Sequence, residues 1–224
     1  MPRAQAPMDW QTAAAPDEEA GGCFSFLLPP LAVLFVIVIL ASFALKTPVQ
    51  AQPVSSNSAS GLAPLFTSEI HHWSDSIIRW AAASSLDPNL VAVIMQIESC
   101  GDPRARSRAG AMGLFQVMPY HFYAADDPYD PDTNAARGLA YLARSLQAAN
   151  GDARLAMAGY NGGIGIITRA ETAWSAETKR YVYYGAPIYA DAQQGLSTSV
   201  MLDEWHKKYG AGLCRQAHTR LGLP

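Results

Sequence analysis

One residue in the stretch Pro88–Cys100 does not fit the face it lies on: Glu98. On a helical wheel of about 100° per residue, Val93, Ile97, Ile94 and Val91 form an apolar arc. Gln96 falls opposite it, and Glu98 lies inside it, between Ile94 and Val91. A carboxylate there is either buried at a cost or lines a cleft. Desolvation and the negative end of the helix dipole both disfavour its ionised form, so its pKa should rise. A carboxylic acid that keeps its proton near neutral pH is what a general acid for glycosidic cleavage requires. Position alone leaves open a second reading, a Glu at a frayed helix end turned to water.

Other reactive side chains are few. The three cysteines are Cys23, Cys100 and Cys214. Cys23 precedes a long apolar run, where it is an unmodified thiol or a palmitoylation site. Cys100 and Cys214 follow that run and are expected to pair if their side of the membrane is oxidising. Of the five histidines only His71 and His72 are close in sequence, and neighbours on a helix point different ways. No metal and no cofactor are expected.

The elements that must position Glu98 are mostly helical. Ile70, Trp73, Ile77, Ile78 and Ala81 share one face of a helix beginning at Thr67. Asp87-Pro88 is an N-cap followed by Pro at the first helical position, and Gly101 and Pro103 end that helix near Cys100. Gly110–Pro119 reads as a loop with a short helical piece. Asn134–Ala149, Ala153–Tyr160, Lys179–Ala190, Leu196–Lys208 and Leu213–Leu221 read as further helices. No stretch alternates convincingly as a strand does.

The N-terminal part differs. Phe24–Leu45 is almost wholly apolar; its 22 residues span roughly 33 Å as a helix, enough for a bilayer core of about 30 Å. The preceding residues are long and acidic and the run itself is long, which favours a permanent anchor over a cleaved signal, although Val49-Gln50-Ala51 is an acceptable cleavage site. The expected order is a cytoplasmic tail over 1–23, one transmembrane helix over 24–45, a Ser- and Pro-rich tether over 46–66, a mainly α domain over 67–190 and a helical extension over 191–224 packed on it. The net charge of −3 lies entirely in residues 1–23, where Arg3 faces Asp9, Asp17, Glu18 and Glu19. The remainder is neutral with no basic stripe, which argues against nucleic acid as a partner.

Glu98–Gln116 reads ESCGDPRARSRAGAMGLFQ and is followed by Val117-Met118-Pro119. This resembles the signature of soluble lytic transglycosylases: a Glu-Ser, a Ser nine residues after the Glu, Gly-Ala-x-Gly-Leu-Met-Gln, then Met-Pro. Phe115 stands where Met is usual. Gly159-Tyr160-Asn161-Gly162-Gly163 is similar to the family's Ala-Tyr-Asn-x-Gly, and Glu177-Thr178-Lys179-Arg180-Tyr181-Val182 to its Glu-Thr-x-x-Tyr-Val. The helix carrying Asn134, Gly138, Tyr141 and Leu142 fits between them. The resemblance covers about residues 67–190.

That resemblance implies a lysozyme-like α-helical domain with a glycan-binding cleft, whose partner is the peptidoglycan strand. It implies cleavage of the β-1,4 bond between N-acetylmuramic acid and N-acetylglucosamine, leaving a 1,6-anhydromuramic end. Glu98 would act first as acid and then as base, with the substrate's N-acetyl group replacing a second carboxylate, since no second Asp or Glu is expected beside it. By the same resemblance Tyr160 would hydrogen-bond near the Glu98 carboxyl and Asn161 would orient the substrate. Ser107, Gln116 and Met118 would line the glycan sites, and Tyr181 would support the wall. The alternatives are a hydrolase on the same fold and a catalytically silent peptidoglycan-binding scaffold. With the anchor, the domain is expected outside the cytoplasm at the cell membrane, or secreted if cleaved after Ala51.

Overall fold

The structure, a computed structural model, describes residues 61–224. The apolar run Phe24–Leu45, the tail before it and most of the tether lie outside the described residues. Among the described residues, no helix is long and apolar enough to cross a membrane.

The described residues are mainly helical. Helices α1 (Ser68–His71) and α2 (Ser74–Ser84) replace the single helix expected from Thr67. The chain breaks at Trp73, whose indole N–H donates to the Gly101 carbonyl at 2.9 Å and so turns away from a continuous helix. Helix α3 (Pro88–Ser99) begins where expected. The Asp87 carboxylate accepts from the N–H groups of Asn89 and Leu90, satisfying two donors at the helix start. It ends at Cys100 with φ +51, a left-handed cap.

Side-chain caps also set the later helices, and two start earlier than periodicity indicates. Helix α4 (Pro131–Ala148) starts under Asp130, and α6 (Ala176–Gln193) under Ser175. Helix α5 (Ala153–Gly162) starts under Asp152. Helix α7 (Val200–Trp205) runs into a π-helical turn, His206–Gly210, and then α8 (Ala211–Leu221). The short helical piece expected within Gly110–Pro119 is instead a tight loop pinned by isolated antiparallel bridges, Arg106 to Met112 and Met112 to Val117.

Helix α3 is the central element. It packs against α6 and α2, with α1 and α8 on its remaining side, and Val91 to Met95 are all fully buried. Of these, Val91, Val93, Ile94 and Met95 each contribute roughly 1.5–3 kcal/mol by leaving water. Gln96, placed by the wheel on a polar face, is also fully buried. A wheel sees one helix alone; here Thr67 and α8 cover the second face. Gln96 Oε1 accepts from the Thr67 backbone and hydroxyl, and its amide donates to Cys100 Sγ at 3.0 Å. Cys100 and Cys214 are joined by a disulfide, with their Cα atoms 5.0 Å apart.

Candidate active site

Glu98 sits in the last turn of α3, half-buried, at the meeting point of two lobes of one cleft. Burial pushes its carboxyl up to about 8; the neighbouring Tyr181 hydroxyl opposes the rise and the negative charge of Glu177 adds to it. The acid is therefore largely protonated at neutral pH.

The larger lobe, about 410 Å³, contains Ser107, Gln116, Met118, Tyr160 and Asn161. The smaller, about 190 Å³, contains Tyr181 and again Asn161. Each residue that the resemblance assigned to the glycan site thus lines a lobe that Glu98 also lines. The loop 107–118 owes its shape to buried polar anchors. Asn134 receives the Phe115 N–H at 2.9 Å and donates to the carbonyls of Met112 and Pro128. Ser99 donates to the Leu114 carbonyl at 2.7 Å, tying the end of α3 to the same loop. Gln116 is left-handed at φ +46, and its amide is held by the Gly113 carbonyl. Gly138 lets α4 approach this loop: a Cβ there would stand 2.7 Å from Phe115 Cβ and 3.2 Å from the Tyr160 hydroxyl.

For Tyr160, expected to hydrogen-bond near the Glu98 carboxyl, the acceptor is a loop carbonyl. Tyr160 donates to the Phe115 carbonyl at 2.7 Å, the nearest acceptor that α4 and the loop hold in its path. Burial and the Glu98 charge keep the phenol well above its ordinary range. The Tyr181 hydroxyl is buried and has no hydrogen-bond partner among the described residues. Burial, then the charges of Glu98 and Tyr160, hold it protonated as well. Asn161 is fixed from behind: Thr178 donates to its Oδ1 at 2.8 Å, which leaves its N–H groups for the cleft.

Two features escaped the sequence reading. The first is Glu177, which lines both lobes and acts electrostatically on Glu98. The expectation of no second carboxylate is therefore corrected: α6 packs on α3 and α5 and brings in a Glu from a distant motif. The second is a line of rings along the larger lobe. Tyr120, His121, Tyr141 and Tyr160 follow one another with centroids 4.5, 4.8 and 5.8 Å apart, a surface suited to the apolar faces of sugars. Tyr160 and Tyr141 lie in the sequence motifs, but their alignment with Tyr120 and His121 was not legible there, and for those two the only signal was aromatic content after a loop. Among the described residues no three His, Cys, Asp or Glu side chains are placed to hold a metal ion.

Residues 75–182 match the family model described as Transglycosylase SLT domain, a span that includes Glu98 and Tyr181 and stops short of α7 and α8. A transglycosylase of Enterobacteria phage PRD1 is 39% identical over 111 residues, covering 49% of this chain and 40% of that protein. Membrane-bound lytic murein transglycosylase E of Buchnera aphidicola subsp. Acyrthosiphon pisum is 30% identical over 86 residues, covering 33% of this chain and 39% of that protein. Among solved structures, an inactive mutant of the lytic transglycosylase Slt from Pseudomonas aeruginosa has 28% identity and a TM-score of 0.47, covering 59% of this chain and 26% of that one. The chain spans about two fifths of the length of these curated relatives.

Proposed function

Since residues 75–182 match the family model described as Transglycosylase SLT domain, we propose that the chain is a peptidoglycan lytic transglycosylase. Its substrate is the β-1,4 bond between N-acetylmuramic acid and N-acetylglucosamine, and its product a 1,6-anhydromuramic end. The observation that carries this is the neutral carboxyl of Glu98, held at about 8 where two lobes of a glycan-sized cleft meet. A proton available there at neutral pH is what the leaving glycosidic oxygen needs.

The residues then take these roles. Glu98 gives its proton to the leaving oxygen while the substrate's N-acetyl carbonyl stabilises the positive charge developing at C1. The Asn161 N–H groups, aimed by Thr178, hold that acetamido group. The Glu98 carboxylate next removes the proton of the C6 hydroxyl as its oxygen closes on C1, and the acid is regenerated. Ser107, Gln116 and Met118 line the strand's path, Tyr160 and Tyr181 keep the acid in a poorly hydrated pocket, and 67–190 is the catalytic domain with 191–224 as its extension. Phe24–Leu45 anchors the chain as one transmembrane helix with the domain outside the cytoplasm; the Buchnera relative carries the description membrane-bound. Membrane fractionation with protease added from outside checks the topology: a soluble chain starting at Gln52 would replace the anchor with a cleaved signal.

Glu177 supports a second reading. Two carboxyl groups in one cleft also suit a hydrolase in which the second activates water. Mass spectrometry of digested peptidoglycan separates the two, because the anhydro product is one water lighter than the reducing end. Reducing ends from the purified chain would overturn the lyase reading.

A further inference from the structure

The smaller lobe has a wall that the family match does not reach. Trp205 and Tyr209 come from α7 and the π-helical turn after it. Trp205 is buried, and Gly210 lets the chain pass close to it, since a Cβ there would stand 2.8 Å from Cε3 of its indole. Widening one turn of a helix changes where the next side chain points. Here that side chain is Tyr209, which is 52% exposed and lines the cavity.

Tyr209 is held in a fixed position. Its ring packs edge-on against Tyr184 at 5.7 Å, and the Tyr184 hydroxyl donates to Glu204, which also receives Lys208. Over the Tyr209 ring lies Arg180, its guanidinium carbon 5.3 Å from the ring centroid. Arg79, Arg137, Arg154 and Arg220 each have a carboxylate partner, but Arg180 has none among the described residues. A guanidinium oriented by an aromatic face and free of a counter-ion keeps its N–H edges for a planar anion. Glu177, one turn back on α6, lines the same lobe and acts on Glu98 by its negative charge, so the lobe carries both an acidic and a basic side chain.

We propose that Arg180, positioned by Tyr209, is a carboxylate subsite for the lactyl arm of the muramyl residue in this lobe. The carboxylate is the free acid of a peptide-less strand or one belonging to the attached stem peptide. The proposal rests on the reading of the cleft as a peptidoglycan site. Arg180 contacts the substrate, and Tyr209 acts through it.

The test is equilibrium binding by the full chain carrying Glu98→Gln, which holds glycan uncut. Three preparations are compared: peptide-bearing strands, peptide-stripped strands, and stripped strands with their carboxylates methyl-esterified. The expected preference for one of the charged preparations over the ester is roughly tenfold, and whichever is preferred identifies the source of the carboxylate. Adding Arg180→Gln should remove that preference. Tyr209→Leu should weaken it and Tyr209→Phe should keep it, which loss of packing alone would not reproduce. Equal binding of ester and acid by the parent chain, or a preference untouched by Arg180→Gln, overturns the subsite. No binding of any preparation overturns the peptidoglycan reading and the subsite with it.

Discussion

Thr178 donates a 2.8 Å hydrogen bond to Oδ1 of Asn161, and Ser175 lies behind Thr178 at 2.9 Å. Ser175 Oγ also accepts the Thr178 backbone N–H, which makes it the N-cap of α6. The Thr178 hydroxyl has one proton, so its bond to Asn161 requires Ser175 to donate to it in turn. The helix cap thereby sets the direction of an amide in the cleft. Thr178→Val keeps the shape of a buried side chain and removes that donor. Turnover should fall about tenfold, Thr178→Ser should recover most of it, and the melting temperature should move little. Unchanged turnover in the Val variant, measured on purified peptidoglycan, would mean that Asn161 is not held for catalysis.

Replacing the acid separates chemistry from folding. Glu98→Gln keeps the size and polarity of the side chain and removes the proton donor, so cleavage should drop roughly a thousandfold or more. The same change should stabilise the protein near neutral pH. An unfolded Glu titrates at 4.5 and the folded one at about 8, so the folded state binds the proton more tightly. Wild-type stability therefore declines as pH rises from 4.5 to about 8, and the Gln variant should lack that decline. A turbidity assay and thermal melts across this window read both effects. Retained cleavage would remove Glu98 from the mechanism.

The pH profile should carry the same signature. Activity requires protonated Glu98, so kcat/KM should fall as pH rises through about 8. Glu177 raises the Glu98 pKa by its negative charge, and Glu177→Gln should shift the alkaline limb to lower pH while cleavage at acidic pH persists. A hydrolase that used Glu177 as its base would instead lose activity at every pH. The profiles of the two proteins, recorded together, decide between these outcomes.

The contents of the cleft were more legible than its geometry. Glu98 stood out because a carboxylate interrupted an apolar arc, and the flanking motif supplied Ser107, Gln116 and Met118. Tyr160 was legible as a residue but not in the identity of its acceptor, because nothing local indicates that Gly138 opens space for it against the Phe115 carbonyl. Glu177 lay in a motif already noted, yet its relation to Glu98 depends on how α6 crosses α3. Gln96 was misjudged for a related reason: its face is covered by Thr67 and α8, far away in the chain. Caps such as Asp130 and Ser175 explain why α4 and α6 begin before their apolar periodicity does.

The last expectation concerns how α8 is held behind the acid. Cys100 is the residue that caps the Glu98 helix, and its disulfide to Cys214 ties that cap to α8. Polar contacts repeat the attachment. Asp102, fully buried, receives Gln216 at 2.7 Å and Arg220 at 2.6 Å, and His218 meets Glu69 at 2.9 Å. The bridge joins residues 114 apart in sequence, for which the chain-entropy model gives roughly 4–5 kcal/mol through the unfolded state. The polar contacts act on the folded state and do not depend on it. Replacing both cysteines by Ser should therefore lower the melting temperature clearly while leaving cleavage at moderate temperature near the wild-type rate, because Asp102 still holds α8 in place. Alkylation of the unreduced, denatured full chain should label Cys23 alone, and reduction should expose two further thiols. Three labelled cysteines before reduction would rule the bridge out. A double variant that melts normally but cleaves poorly would show instead that the bridge sets the position of Glu98.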